Sequence, residues 1–226
     1  MSITYSDLAQ NCRAAERVWT FSKRVHNMAI RKNHESDECC QTKILAILYC
    51  TMAEAYFLKI LHTPGMLSPD EIDGVVGECK REGAAKAWKK LVECALRKVN
   101  AQRSGHVSNV QQKLNSLIDE FLVDPSIIRN KIAHGQWNTA FNRENTDVNV
   151  DISGKLNSLN ASRIELHKDV LILIVQIVTD IVQSPNKAHM RDYWMLIQKL
   201  ETKIEERKNW NVSTKRPHLL KGGNSH

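Results

Sequence analysis

The apolar segment from Ile44 to Leu61 constrains the fold more than any other feature of this chain. In a helix, with about 100° between successive residues, its apolar side chains point in nearly every direction around the axis. Glu54 is the only charged residue between Lys43 and Lys59. A helix that is apolar on all sides must be surrounded by other elements, so we expect it at the centre of a bundle.

The rest of the chain shows helical periods and helix-start signals, with few strand signals. It therefore predicts an all-α protein. We expect residues 1–185 to form a helical bundle, residues 186–208 to form an additional amphipathic helix, and residues 209–226 to be a disordered polar tail.

Two local signals lie within this helical pattern. Asp124-Pro125 is typical of an N-cap followed by the first helical residue, so we expect a short separate helix from Ser126 to about Gly135. After it, Gln136–Phe141 and Asp147–Ile152 are rich in Trp, Thr, Phe and Val and are joined by a turn-like segment. These two segments predict a small β-hairpin insertion.

Several features favour a reduced, cytoplasmic protein that does not cross a membrane. The longest charge-free apolar runs are ten residues each, roughly half of what a membrane-spanning helix needs. The N-terminal residues lack the basic start, apolar run and cleavage site of a secretion signal. The six cysteines form no CxxC pair, so we expect free structural thiols and neither a metal nor another cofactor.

Positive charge is concentrated in one stretch. The chain has a net charge of +7, and Lys80 to Lys113 contains nine basic residues against two acidic ones, which is also +7. On the helix predicted from Ala84 to about Asn100, most of these cations lie opposite the apolar face. We call them the cationic ridge: Lys86, Lys89, Lys90 and Arg97. The ridge is either a solvated helix face or a guide for a nucleic-acid backbone.

The segment from Arg129 to Gly135, RNKIAHG, carries the candidate chemistry. In a helix, Arg129, Asn130 and His134 lie on the side away from the neighbouring isoleucines, and Asn130 is close enough to orient the imidazole. An imidazole can take or give a proton near neutral pH, and a guanidinium can bind phosphate oxygens with two N–H donors. Together they favour cleavage of RNA, whose 2′-OH attacks the adjacent phosphate.

One arginine and one histidine are few for this reaction, because it needs both a base and an acid. A symmetric homodimer would bring two copies of Arg129 and His134 to one cleft, since a two-fold axis places the same patch of both subunits together. The cationic ridge and Lys131 are then the candidate RNA contacts.

Arg129 and His134, with four residues between them and Asn130 directly after the arginine, resemble the R-x4-6-H motif of the HEPN superfamily. RNKIAHG is particularly similar to the motif of stand-alone prokaryotic HEPN nucleases. The resemblance implies a bundle of four to five core helices, a composite site built by dimerisation, and metal-independent cleavage of RNA. It also implies a toxin or antiviral effector that acts with a cognate antitoxin or defence partner, and an acidic residue such as Glu54 that fixes the arginine.

Other interpretations of the same residues stay open. Glu54 is either a structural partner for any Lys or Arg, or the residue that fixes Arg129. Arg129 and His134 also fit a surface arginine and a histidine favoured by the helix dipole. The alternative function is a catalytically inactive HEPN-like module that binds a nucleotide or a protein partner.

Overall fold

The computed structural model describes residues 3–101 and 105–221 and is all-α. Within these residues the only β-type pairing is one isolated antiparallel bridge between Phe141 and Val148. A five-residue π-helical turn, Asp119–Val123, joins α5 to α6. The helices are α1 (Tyr5–Lys32), α2 (Glu35–Leu61), α3 (Pro69–Glu82), α4 (Ala84–Leu96), α5 (His106–Ile118), α6 (Asp124–Ala133), α7 (Val150–Asn157), α8 (Ala161–Gln183), α9 (Ala188–Arg207) and α10 (Val212–Lys221).

Helix α2 is the centre of the bundle. It packs against α1, α4, α6 and α8, and its buried side chains include Leu45, Tyr49, Phe57 and Leu61. Among the described helices, α2 alone has the length and mean hydropathy of a membrane span. Its contacts on four sides account for that composition without a membrane.

Local signals fix the ends of the first helices. The Thr4 hydroxyl and the Asp7 carboxylate form a capping box at the start of α1, and Ser68 and Glu71 form another at the start of α3. Each box satisfies backbone N–H groups that the first turn of a helix leaves without partners. Asn33, with a φ of 57°, ends α1 in the left-handed region and turns the chain into α2.

The predicted β-hairpin is wrong. Only the bridge between Phe141 and Val148 forms, and the second predicted strand is replaced by α7. Asn149 caps that helix, because its side-chain oxygen accepts a hydrogen bond from the amide of Ile152 at 3.0 Å. The hydroxyl of Ser153 accepts a hydrogen bond from the amide of Ala140 at 2.9 Å, so side chains rather than a strand ladder hold this segment.

The predicted disordered tail is also wrong for residues 212–221, which form α10; residues 222–226 lie outside the described part of the chain. Helix α10 packs against α1 and α8. Lys215 is buried and forms an ion pair with Glu165 of α8, and the Arg31 side chain donates a hydrogen bond to the Leu219 carbonyl at 3.2 Å. These polar contacts order a segment that has little apolar content.

The amphipathic helix predicted at 186–208 is α9, which packs against α8. Tyr193, Leu196 and Leu200 are buried in that contact. Trp194 and Met195 are more than half exposed, at 63% and 59%.

Candidate functional site

Helix α6 carries the motif, and an unusual junction holds it against α2. The prediction of an N-cap at Asp124 is wrong, because Asp124 has helical dihedrals (φ −58°, ψ −47°) and the chain stays helical from α5 into α6. Pro125 has no amide hydrogen, so the carbonyl of Phe121 loses its usual donor. The Tyr49 hydroxyl of α2 donates a hydrogen bond to that carbonyl instead. Proline therefore does not end the helix here; it leaves an acceptor that ties the π-helical turn before α6 to α2.

Sequence reasoning missed Tyr49. The signal that could have found it is the proline itself, because a helical proline leaves a carbonyl four residues earlier that needs another donor. Nothing in the sequence identifies which donor supplies it, since Tyr49 lies 72 residues before Phe121.

Arg129 projects from α6 towards α2, where its guanidinium forms an ion pair with the carboxylate of Glu54. The Arg129 side chain is 27% exposed and the Glu54 side chain is 42% exposed. Nε of Arg129 is buried and has no hydrogen-bond partner within the described residues. The carboxylate therefore fixes one edge of the guanidinium, while the side chain still reaches solvent.

The pair lies in a cleft of about 570 Å³ between α2, α6 and the junction of α3 with α4. Asn130 and Lys86 also line this cleft, and both are accessible to solvent. The cleft thus brings together two candidate site residues of α6, the supporting glutamate and one lysine of the cationic ridge.

Cys50 forms part of the cleft wall behind Arg129. Burial raises the pKa of the Cys50 thiol to about 12, although the nearby positive charge of Arg129 opposes the shift. The thiol is therefore protonated at neutral pH. Because a thiolate is the reactive form of cysteine, Cys50 contributes packing rather than a nucleophile.

His134 lies at the other end of α6, as the C-cap residue, and it is exposed. It comes five positions after Arg129, which corresponds to about 7.5 Å along the helix axis. Gly135, with a φ of +81°, ends the helix in a conformation that favours glycine. His134 does not line the cleft, so within one chain the imidazole and the guanidinium occupy separate positions.

Asn130 does not orient the imidazole as we expected. Among residues 3–101 and 105–221, no hydrogen bond joins the Asn130 side chain to the His134 ring; the only bond between the two residues runs from the His134 amide to the Asn130 carbonyl, at 3.1 Å. Asn130 and His134 are exposed together with Ile127, whose side chain is 42% exposed. These three residues form an open face of α6.

The cationic ridge is largely neutralised by acidic neighbours. Lys86 pairs with Glu82 at 2.8 Å, and Lys89 pairs with Asp119 at 2.5 Å. Lys90 and Arg97 share Glu93. Four cations against three carboxylates leave a net charge of +1, so the ridge attracts a polyanion less than its lysine content predicts.

Lys131, the remaining candidate RNA contact, also has an internal partner. Its ammonium group donates a hydrogen bond to the Phe141 carbonyl at 2.6 Å, which ties α6 to the loop before α7. A lysine in this position stabilises the loop that replaces the predicted hairpin. It remains close to the motif because it lies between Asn130 and His134.

Comparisons with models of protein families, with curated proteins and with solved structures found no match. The resemblance to the HEPN superfamily therefore rests on the motif in this chain. Alongside that resemblance the structure provides an all-helical bundle, an arginine paired with a glutamate of the central helix, and an exposed histidine five residues after that arginine.

Proposed function

We propose that this chain is a metal-independent endoribonuclease of the HEPN type. The observation that carries the proposal is the Glu54–Arg129 pair at an open cleft, on the same helix as an exposed His134. A carboxylate that fixes a guanidinium reduces the entropy it loses on binding a phosphate. An exposed imidazole is free to reach a substrate proton.

In the proposed reaction, His134 removes the proton of the RNA 2′-OH. The 2′ oxygen attacks the adjacent phosphorus, and the bond from phosphorus to the 5′ oxygen breaks. The partner subunit's His134 gives a proton to the leaving 5′ oxygen. Arg129 stabilises the negative charge on the phosphoryl oxygens in the transition state. The products are a 2′,3′-cyclic phosphate and a 5′-OH, and DNA is inert because it lacks the attacking hydroxyl.

The open face of α6 supports the proposed homodimer. Ile127 gives it an exposed apolar contact, and Asn130 and His134 lie beside it on successive turns. Packing this face against its symmetry copy would place two histidines near one axis. Each Arg129, held from behind by Glu54, would then lie at the edge of the shared cleft.

The cellular role follows from the resemblance alone. A cytoplasmic toxin or antiviral effector, controlled by a cognate antitoxin or another defence protein, fits a stand-alone RNase of this type. Its activity on RNA would need such control, because cleavage requires no rare cofactor.

One observation favours the alternative, a catalytically inactive module that binds a nucleotide or a protein partner. A second cavity of about 400 Å³ lies between α2, α6, α7 and α8. His167 and Arg163 line it, and Nε2 of His167 is buried without a hydrogen-bond partner in the described chain. A small molecule with a hydrogen-bond donor would satisfy that nitrogen.

A cleavage assay separates the two functions. Purified protein is incubated with labelled single-stranded RNA in EDTA, beside the double variant Arg129→Ala/His134→Ala. We expect the native chain to cut the RNA and leave cyclic phosphate ends, and the variant to leave it intact. Equal behaviour of the two proteins would remove the nuclease proposal and favour the inactive module.

A further inference from the structure

A second cationic surface lies on α1. Arg13, Arg17 and Arg24 are exposed and lie within about 40° of each other around the helix axis. Phe21 lies beside Arg17 and Arg24 at helical spacings of four and three residues, and it is 67% exposed. A groove of about 490 Å³ follows these four residues, which we call the α1 stripe.

The arginines of the α1 stripe have no acidic partners, unlike the cations of the ridge. Within residues 3–101 and 105–221, none of the three guanidinium groups forms an ion pair or a hydrogen bond. Glu16 is the one acidic residue that lines the groove, and its carboxylate accepts a hydrogen bond from the Tyr56 hydroxyl. All the N–H donors of three arginines therefore remain available to a ligand.

We propose that the α1 stripe binds single-stranded RNA. This inference rests on the proposed function, because it names a surface that binds the proposed substrate. Arginine binds phosphate oxygens through two N–H donors, and an exposed aromatic ring between cations is the arrangement on which unpaired bases stack. Arg13 and Arg24 are about 16 Å apart along the helix axis, at 1.5 Å per residue, which is room for a short single strand.

The geometry favours RNA over an anionic membrane. A membrane-binding helix buries a continuous apolar face, whereas Phe21 is the one apolar side chain that lines this groove, beside charged and polar side chains. It also disfavours a second copy of this chain, because a two-fold contact would place the same unpaired arginines against each other.

Binding to an RNA that cannot be cut tests the inference separately from cleavage. Fluorescence anisotropy measures the Kd of the full chain for a labelled 2′-O-methyl single strand, which lacks the attacking hydroxyl. The variant Arg13→Gln/Arg17→Gln/Arg24→Gln is compared with the ridge variant Lys89→Gln/Lys90→Gln/Arg97→Gln, whose three side chains do not line the cleft of the Glu54–Arg129 pair. We expect the α1 variant to bind at least tenfold more weakly and to lose about 2 from the slope of log Kd against log salt, at about 0.7 per phosphate contact.

Phe21→Ala separates stacking from charge. We expect it to weaken binding about tenfold, as loss of one base stack does, with the salt slope unchanged. Circular dichroism checks that each variant is folded. An α1 variant that binds RNA like the native chain, or a ridge variant that loses as much affinity, would overturn the inference.

Two further outcomes keep the proposals separate. If vesicles of equimolar phosphatidylserine and phosphatidylcholine bind the native chain but the single strand does not, the α1 stripe is a membrane surface and the inference is wrong. If the single strand binds through the stripe while ordinary RNA is never cleaved, the stripe stands and the nuclease proposal fails.

Discussion

Two ion pairs that each contain a glutamate join distant segments of this bundle, and they differ in how far solvent reaches them. Glu54 and Arg129 link α2 to α6 with side chains that are 42% and 27% exposed. Glu165 and Lys215 link α8 to α10 with side chains that are 11% and 8% exposed. An exposed pair contributes little stability, whereas removing one partner of a buried pair leaves an uncompensated charge. We therefore assign orientation of a functional group to the first pair and attachment of the C-terminal helix to the second.

The environment of the buried pair supports this assignment. Burial alone would raise the pKa of Glu165, but the positive charges of Lys215 and Lys23 outweigh it and lower the pKa. Lys23 contacts the second carboxylate oxygen at 3.0 Å. His26 lies close by and is fully buried, so this end of the molecule contains several charges and one titratable ring in a small volume.

The largest expected effect is the loss of cleavage rate when the Glu54–Arg129 pair is broken. Arg129→Ala should lower the cleavage rate about 10²–10³-fold, because a transition-state donor is lost, while the melting temperature changes little. Rates come from gel analysis of labelled RNA and stability from thermal unfolding. Arg191→Ala, at an arginine whose side chain is 77% exposed and paired with Asp192, is the matched control and should change neither. A large loss of stability in Arg129→Ala would show that the Glu54–Arg129 pair has a structural role, like the Glu165–Lys215 pair.

The next largest effect is the loss of stability when the buried Glu165–Lys215 pair is broken. Lys215→Ala should lower the free energy of unfolding by about 2–4 kcal/mol, because Glu165 keeps its charge with Lys23 as its only cationic contact in the described part of the chain. Lys208→Ala removes an exposed pair with Glu205 and should cost about 0.5 kcal/mol or less. Urea denaturation measures both. Equal effects of the two substitutions would show that burial does not distinguish these pairs.

Acidification provides a third test. Burial, reinforced by Lys215, lowers the pKa of His26 to about 4. In the unfolded state a histidine has a pKa of about 6.5. Between pH 6.5 and 4, His26 is therefore protonated in the unfolded state and neutral in the folded state. Stability should fall as the pH drops from about 6.5 towards 4, by about 1–2 kcal/mol at pH 5 for this residue.

The variant for this test is His26→Gln. The imidazole of His26 lies 3.3 Å from the Thr42 hydroxyl, and glutamine keeps an N–H donor there without titrating. Denaturation curves at a series of pH values should show a smaller loss of stability on acidification in this variant than in the native chain. The remaining loss comes from His167 and His189, because burial lowers the pKa of both to about 4. An unchanged pH dependence in His26→Gln would contradict the assignment of His26 to the buried region.

The smallest effect tests whether Glu54 orients Arg129 for cleavage or only stabilises the fold. Glu54→Gln should change the free energy of unfolding by about 1 kcal/mol or less and lower the cleavage rate about tenfold, since Arg129 keeps its charge but loses its fixed position. Cleavage at the native rate would identify Glu54 as a structural partner without a role in the site.

Local patterns predicted much of the fold. The all-α class was confirmed, and the starts of α1 and α3 follow from capping boxes that lie within a few residues of sequence. The central position of α2 follows from its apolar side chains on every side. Each of these features depends on the segment itself, so the sequence contains the information.

The errors have non-local causes. Asp124 does not cap α6, because the chain is already helical before it and the Tyr49 hydroxyl of another helix supplies the hydrogen bond that Pro125 cannot donate. The C-terminal tail is ordered because Lys215 meets Glu165, 50 residues away. Helix propensity and apolar periodicity describe single segments, so they predict neither the contact of Tyr49 with Phe121 nor that of Lys215 with Glu165.

The two cationic surfaces show the same limit of prediction, because partners from other elements decide which cations stay unpaired. The charges along the chain select the ridge, but Asp119 of the π-helical turn after α5 neutralises Lys89. The i, i+4 pair of Glu82 with Lys86 was visible in the sequence. The arginines of the α1 stripe could be found from their spacing, yet only the fold shows that they form no ion pair within the described residues.

Subunit mixing is the decisive test of the shared site. The native chain and an excess of His134→Ala are mixed, dissociated and reassociated, and cleavage of single-stranded RNA is measured in EDTA. If one histidine is the base and the partner's histidine is the acid, cleavage per native chain should fall towards the level of His134→Ala alone, because the mixed dimer contains a single histidine at the cleft. Unchanged cleavage per native chain, in a mixture shown to contain mixed dimers, would show that the site is not shared.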